Sequence, residues 1–126
     1  MIFEHFAINV NKVDAVVKWY VSHLGLKVVS QQKELPFMTF LADSGDRVIM
    51  ELYQRADAMM TNFTIQHQLT FHLAFVSENA QKDRDRLEVA GATFIEEVRK
   101  EDGSHLVMLR DPWGMPLQLC ERVQKF

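Results

Sequence analysis

The chain has 126 residues, the size of one compact domain or of two small halves that share a core. Hydrophobic residues make up 48% and charged residues 25% of the sequence, as in an ordinary globular protein, and the formal net charge is −3 with no basic stripe. Nucleic acid is therefore not an expected partner, and no apolar run approaches the length of a membrane span.

Targeting and redox signals indicate a cytoplasmic protein. The first ten residues have no charged segment followed by an apolar core, so they do not form a secretion signal. The chain has one cysteine, Cys120, which excludes an intrachain disulfide and favours a reducing compartment. Because Cys120 lies in an apolar segment, we expect it to be a small core residue.

The first half predicts a strand, a helix and three strands. Apolar residues recur at helical spacing between Val13 and Leu24, Asn11 is a candidate N-cap, and Gly25 can end the helix in a left-handed conformation. The strands are predicted at residues 2–10, 26–33, 37–42 and 47–54.

The second half repeats this order after a linker without clear periodicity. Ser77 is the predicted cap of the second helix, which extends to Ala90, and Gly91 is its stop. The strands are predicted at residues 69–76, 93–99, 105–110 and 115–122. The chain is thus interpreted as a single domain of two modules, residues 1–54 and 69–126, joined by the linker 55–68.

The two modules are an internal repeat of about sixty residues, and its polar positions match. An interval of 46 positions separates His5 from Glu51, and the same interval separates His72 from Gln118. A strand sends alternate side chains to one face, so these four side chains can converge if they face inward. Two imidazoles, a carboxylate and an amide oxygen are suitable ligands for a divalent metal, which would act as a Lewis acid.

Five motifs, in order along the whole chain, resemble those of the vicinal oxygen chelate superfamily. This superfamily includes glyoxalases, bleomycin- and fosfomycin-resistance proteins, methylmalonyl-CoA epimerases and extradiol dioxygenases. The motifs are Glu4-His5-Phe6-Ala7-Ile8-Asn9-Val10, Trp19-Tyr20 followed by Leu24-Gly25-Leu26, Val48-Ile49-Met50-Glu51-Leu52, Phe71-His72-Leu73-Ala74-Phe75-Val76 and Arg110-Asp111-Pro112-Trp113-Gly114.

The resemblance implies an α+β fold in which two tandem βαβββ modules form an open, barrel-like mixed sheet around the site. It also implies a homodimer with sites at the interface, where His5 and Glu51 of one chain meet His72 and Gln118 of the other. The sequence leaves open whether each site forms in this way or within one chain. One position departs from the family pattern: metal enzymes of the family usually carry glutamate where this chain has Gln118.

This departure affects the expected mechanism. In glyoxalases the glutamate of the last strand is both a ligand and a base, whereas an amide cannot accept a proton usefully at neutral pH. Glu51 is then the candidate base, since it is the only carboxylate among the four residues. We therefore predict a glyoxalase-like lyase or isomerase that acts on a small carbonyl compound with Ni, Zn, Mn or Fe bound by His5, Glu51, His72 and Gln118.

Two other functions are compatible with the sequence. One is a metal-free protein that sequesters a small molecule, as the bleomycin-resistance members do, with apolar contacts from Trp113, Tyr53 and the Met59-Met60-Phe63 segment. The other is an Fe(II) dioxygenase that uses the two histidines with Glu51. His105 would touch substrate only if its strand turned it inward. The substrate itself is not specified by the sequence.

Overall fold

The computed structural model describes residues 1–126, and the chain divides into two compact units, Met1–Thr61 and Asn62–Phe126. Each unit contains one α-helix and a four-stranded sheet, in the chain order strand, helix, strand, strand, strand. This confirms the predicted α+β class and the two βαβββ modules, and neither sheet is closed. No helix has the length and apolar character needed to cross a membrane.

The first unit has an open mixed sheet in the order β1-β4-β3-β2. The parallel pair is β1 with β4, and the other pairs are antiparallel. One face of the sheet is buried through Leu41, Met50 and Leu52, as expected for alternating strands. The elements are β1 (Phe6–Asn9), α1 (Val13–Leu24), β2 (Lys27–Gln31), β3 (Thr39–Ala42) and β4 (Val48–Tyr53).

Helix α1 ends as predicted but begins differently. Gly25 adopts a left-handed conformation with φ 71°, and its N–H donates to the carbonyl of Tyr20. The predicted N-cap Asn11 is wrong, because Lys12 occupies that position with φ 59° and makes no side-chain cap bond. The carbonyl of Lys12 accepts hydrogen bonds from the N–H groups of Ala15 and Val16, so the first turn is closed by the backbone alone.

The second unit repeats the arrangement in the order β5-β8-β7-β6, with β5 and β8 parallel. Its helix packs on the last three strands of the unit and buries Leu87 on the side where Leu109 and Leu117 are also buried. A 3₁₀ turn (Phe63–Ile65) precedes the sheet, within the predicted linker. The elements are β5 (Leu73–Val76), α2 (Ala80–Val89), β6 (Thr93–Arg99), β7 (His105–Arg110) and β8 (Pro116–Glu121).

The N-cap of helix α2 lies two residues after Ser77, the capping position that the sequence predicts. Asn79 is the N-cap, and its side-chain oxygen accepts from the N–H of Lys82 at 2.8 Å. Ser77 instead donates its hydroxyl to Asp83 at 2.6 Å and accepts from the N–H of Asn79. The N–H of Ala80 donates to a carboxylate of β8, so the helix N-terminus is anchored to the sheet.

The end of the first unit is bound to β1 by one amide side chain. The Asn9 amide donates to the carbonyls of Arg55 and Ala58 at 2.9 and 2.8 Å, and its oxygen accepts from the N–H of Arg55 at 2.8 Å. The side chain of Asn9 alone supplies the two donors and the acceptor of these three hydrogen bonds. Asn9 therefore fixes residues 55–58 to the first unit.

The start of the second unit is bound in a similar way by Arg110. Its guanidinium donates to the carbonyls of Phe63 and Gln66, each at 2.6 Å, and to that of Gly114 at 2.9 Å. Gly114 has φ 91°, and a Cβ at that position would collide with Thr64. Arg110 and the missing side chain at Gly114 thus fix residues 63–66 against the turn between β7 and β8.

Candidate functional site

The two modules place their candidate ligands in the same register. In the parallel pair of the first unit, Ala7 lies opposite Glu51, and in that of the second unit Ala74 lies opposite Gln118. The equal sequence spacing therefore reflects the same strand pairing in both units. The histidines occupy equivalent positions as well, since each is the residue immediately before its strand.

In the first unit the structure brings two candidate ligands together. Nε2 of His5 lies 3.2 Å from a carboxylate oxygen of Glu51, and both side chains are mostly shielded, with 27% and 12% of their surfaces exposed. The ring of Phe40, the cross-strand neighbour of Glu51, meets the imidazole edge-on at 5.3 Å between centroids. The other ring nitrogen, Nδ1, contacts the carboxylate of Glu4. The imidazole is therefore held between two carboxylates.

In the second unit the equivalent residues have different surroundings. The side-chain oxygen of Gln118 accepts a hydrogen bond from the thiol of Cys120 at 3.3 Å. The imidazole of His72 is half-buried and makes no hydrogen bond or ion pair within the chain. Burial raises the pKa of the Cys120 thiol above its ordinary value, although nearby Arg122 acts in the opposite direction. Gln118 and Cys120 thus form a neutral pair.

The donor atoms of the first unit fit a divalent metal as two neighbouring ligands. Ligands bound at about 2.0–2.2 Å in tetrahedral or octahedral geometry lie about 3.0–3.4 Å apart, and the distance between His5 and Glu51 falls in this range. The contact of Glu4 with Nδ1 is of the kind that orients a metal-binding imidazole. The structure gathers no group of three or more His, Cys, Asp or Glu that could hold a metal.

His105 belongs to the opposite face of the second sheet from Gln118. It lies opposite Glu121 in the strand pairing, out of phase with Gln118, and is buried with only 3% of its surface exposed. Its Nε2 contacts the carboxylate of Glu97 at 2.8 Å, and this hydrogen bond is the main reason why the pKa of Glu97 is lowered. His105 therefore has a structural role and does not turn inward.

Alternating side chains of β8 face a pocket that the sequence patterns do not predict. Gln118 and Cys120 are on the same face of the strand, and Arg122 continues this alternation just beyond its end. Cys120 is buried, as predicted, but it also lines a pocket of about 310 Å³ together with Arg122. In the sequence, the only indication of this pocket is the two-residue spacing of Gln118, Cys120 and Arg122. The same spacing occurs in strands that pack against a core, so it does not predict a pocket.

A family model matches residues 2–119 of the chain, and its description is the Glyoxalase/Bleomycin resistance protein/Dioxygenase superfamily. The chain belongs to this superfamily. The match covers both modules and all four candidate ligands, which confirms the resemblance inferred from the motifs.

Solved structures agree with the superfamily fold. A glyoxalase family protein from Enterococcus faecalis is 24% identical, with a TM-score of 0.71 over 95% of this chain and 97% of that one. An antibiotic binding protein from Streptomyces sp. CB03234 is 17% identical, with a TM-score of 0.70 over 95% and 94%. A lactoylglutathione lyase from Agrobacterium tumefaciens is 22% identical, with a TM-score of 0.64 over 94% and 92%.

These similarities describe the fold rather than the reaction. The structural relatives include an enzyme and a binding protein at comparable identity, so superfamily membership is compatible with either activity. No curated protein matches the chain at a significant level. The choice of function therefore depends on the chemistry of the site.

Proposed function

We propose that this superfamily member binds a divalent metal and acts as a glyoxalase-like lyase or isomerase on a small carbonyl compound. The observation that carries this proposal is the 3.2 Å contact between Nε2 of His5 and the carboxylate of Glu51. An imidazole and a carboxylate at this distance, with a second carboxylate on the other ring nitrogen, are arranged as ligands of such a metal usually are.

The remaining ligands in this proposal are His72 and Gln118. Their support is the equivalent register of the two modules, in which Gln118 corresponds to Glu51 and His72 to His5. A site with all four residues would form either within one chain or between two chains of a homodimer, and we favour the homodimer. The single free thiol, Cys120, is consistent with a cytoplasmic protein.

Two imidazoles, one carboxylate and one amide oxygen suit Ni, Zn, Mn or Fe, and the bound metal would polarise the substrate carbonyl. Glu51 is the only carboxylate in the set, and we assign it the movement of the proton. When the carbon beside the carbonyl carries a hydroxyl group, its C–H bond breaks, the proton passes to a Glu51 oxygen, and the electron pair delocalises onto the carbonyl oxygen to give an enediolate. The hydroxyl proton then moves to that oxygen, the proton held by Glu51 returns to the former carbonyl carbon, and the other carbon becomes the new carbonyl, so the isomerisation needs no other reactant.

The immediate surroundings of Glu51 are consistent with this role. His5 lies on one side and the ring of Phe40 on another, which limits the access of water to the carboxylate. Gln118 cannot accept a proton, so its role is limited to binding through its amide oxygen.

Elemental analysis of the purified protein, after loading in turn with Ni, Zn, Mn and Fe, tests the proposal. We expect one metal ion per chain in the wild type and loss of metal in His5→Ala and in His72→Ala. His67→Ala is the matched control, since His67 lies in the linker and is not a candidate ligand, and it should retain the metal. A wild-type protein that retains none of the four metals would contradict the proposal.

A mixing experiment determines whether the site is shared between chains. His5→Ala and His72→Ala chains are unfolded together, refolded and loaded with metal. If each site uses His5 of one chain and His72 of the other, each mixed dimer contains one intact site. Because random pairing makes about half of the dimers mixed, the refolded sample should regain about a quarter of a metal ion per chain. If each site forms within one chain, both sites remain defective and no metal is regained.

The second candidate function is metal-free sequestration of a small molecule. It is favoured by the neutral Gln118–Cys120 pair and by the pocket beside it, and the antibiotic binding protein from Streptomyces is a structural relative. In that case a ligand would raise the thermal stability of the protein equally with and without a chelator. Stabilisation that disappears when metal is removed would instead support the metal-dependent function.

A further inference from the structure

A pocket in the second unit lies along the free edge of its sheet. Strand β5 is the edge strand, and Ala74 and Val76 on it are exposed, Val76 to 73%. The pocket has a volume of about 310 Å³, at the lower end of the range for small-molecule sites. Its lining is mainly apolar and consists of Ala74, Phe75, Val76, Cys120, Arg122, Lys125 and Phe126.

Of the two cations in the lining, Arg122 is the one that forms no ion pair. Lys125 forms an exposed ion pair with Glu78 at 2.6 Å, which compensates part of its charge. The half-buried guanidinium of Arg122 takes part in no ion pair, and it lies over the ring of Phe126 at 4.7 Å from the centroid. The neighbouring Glu121 alternates to the opposite face of β8, where its carboxylate accepts a hydrogen bond from the N–H of Ala80.

The pocket adjoins one of the proposed ligands. Cys120 lines the pocket and at the same time donates its thiol to Gln118. Gln118 and Arg122 are four residues apart, which in extended chain is a distance of about 13 Å between Cα atoms. A molecule that reached Gln118 with one end and Arg122 with the other would therefore have an apolar body between its two polar ends.

We propose that this pocket binds a small organic carboxylate with an apolar body, whose carboxylate group pairs with Arg122. A guanidinium can bind a carboxylate through two parallel hydrogen bonds, and the alanine, valine and phenylalanine surfaces would shield the apolar part from water. In the proposed enzyme, this group would be the end of the substrate remote from the reacting carbonyl. That role depends on the proposed function, whereas binding of the carboxylate in the pocket does not.

Isothermal titration calorimetry with phenylacetate in the presence of EDTA tests the pocket without any metal. Saturable binding of phenylacetate is expected, with much weaker binding of 2-phenylethanol, which lacks the charge, and of acetate, which lacks the ring. Binding of 2-phenylethanol as tight as that of phenylacetate, or no saturable binding of phenylacetate, would overturn the proposal. Because no metal is present, the result is independent of the metal analysis described above.

Two variants and their controls assign the binding to this pocket. Arg122→Gln should weaken phenylacetate binding about tenfold to a hundredfold, the range for loss of a charged hydrogen-bonding partner. Arg99→Gln, at an exposed arginine outside the pocket, should leave binding unchanged. Val76→Asp, which adds a negative charge to the lining, should abolish binding, and Val89→Asp on exposed α2 should not.

With these variants, a loss of binding can be distinguished from a loss of folding. All four positions are exposed or half-buried, and circular dichroism checks that each variant is folded. Wild-type affinity in a folded Arg122→Gln protein would exclude Arg122 as the partner of the carboxylate. Backbone amide shifts on titration provide a second measurement: they should concentrate at residues 74–76 and 120–122, and shifts centred on His5 and Glu51 would disprove the assignment.

Discussion

The thiol of Cys120 donates a hydrogen bond to the side-chain oxygen of Gln118, so the amide that corresponds to Glu51 is already engaged within its own strand. An amide oxygen has two lone pairs, and one remains for another partner. Compared with a carboxylate, Gln118 therefore offers a metal a neutral and partly occupied donor.

We predict that Gln118→Glu tightens metal binding. The variant places a second carboxylate in the register position equivalent to Glu51, and the Cys120 thiol can still donate to it. A gain of about tenfold in affinity is expected from one added anionic ligand at close range. Competition with a coloured chelator measures the affinity, and Gln124→Glu, at an exposed position, controls for the change in net charge. Equal affinity in wild type and Gln118→Glu would argue against Gln118 as a ligand.

Arg110→Met should destabilise the second unit. The guanidinium donates to the carbonyls of Phe63, Gln66 and Gly114, and methionine keeps an unbranched apolar stem but none of the donors. We expect a loss of about 2–4 kcal/mol in the free energy of unfolding. Urea denaturation measures this loss, and Arg99→Met provides the comparison at an exposed site. Loss of the same size in both variants would show that the three hydrogen bonds contribute little.

Gly114→Ala should be destabilising for a different reason. Gly114 has φ 91°, and an added Cβ would collide with Thr64, whose backbone N and Cα would both lie within 3.3 Å of it. Together the strained backbone and the collision are expected to cost about 2–4 kcal/mol. Gly45→Ala is the matched control, because Gly45 has no positive φ and a Cβ there would meet only the side chain of Asp43. Thermal denaturation of the two variants should differ clearly, and equal melting temperatures would contradict the prediction.

The hydrogen bond between His105 and Glu97 predicts a specific pH dependence. The hydrogen bond from His105 lowers the pKa of Glu97, so the ionised carboxylate is stabilised in the folded protein. The contribution of this carboxylate to the free energy of unfolding is therefore complete above the ordinary glutamate pKa. It is lost as the pH falls through the lowered pKa of the folded state. Glu97→Gln should be less stable than wild type near neutral pH, and the two should converge in acid. Urea denaturation across this range measures the difference, with Glu101→Gln as an exposed control. A difference that widens in acid would contradict the assignment.

Cys120 should react slowly with iodoacetamide in the folded protein. Only 6% of its surface is exposed, and burial raises the pKa of the thiol, so little of the reactive thiolate is present at neutral pH. Mass spectrometry of the labelled chain gives the rate, and the same measurement in urea gives the rate for the accessible thiol. Similar labelling rates in the folded protein and in urea would contradict this prediction, because iodoacetamide would then reach Cys120 freely from the pocket side of β8.

Sequence patterns predicted the local elements whose signals lie within a few residues. The strands β6 and β7 have the predicted bounds, and Gly25 ends α1 through the left-handed conformation expected of glycine. Asn11 and Ser77 were wrong as helix caps, because Lys12 adopts a left-handed conformation and Asn79 is the better-placed acceptor. Capping depends on the backbone dihedrals of a single residue, which composition and periodicity do not specify.

The register of the two modules was available from the sequence, but the partners of each side chain were not. Equal spacing predicted that Gln118 corresponds to Glu51, and the strand pairing agrees. The contact of His5 with Glu51 also follows from neighbouring parallel strands. By contrast, the thiol that binds Gln118 and the position of the Arg122 guanidinium over the ring of Phe126 depend on side-chain conformations, which one sequence does not determine.

The two sets of hydrogen bonds that hold the two ends of the linker have a practical consequence. Asn9 holds residues 55–58 and Arg110 holds residues 63–66, which leaves only the short stretch around Met59 and Met60 untethered, and both methionines are exposed. A fluorescent reporter or an affinity tag inserted there would leave both sets of contacts intact. Insertions a few residues earlier or later would break one of them, so we expect the stretch around Met59 and Met60 to accept an insertion better than its neighbours.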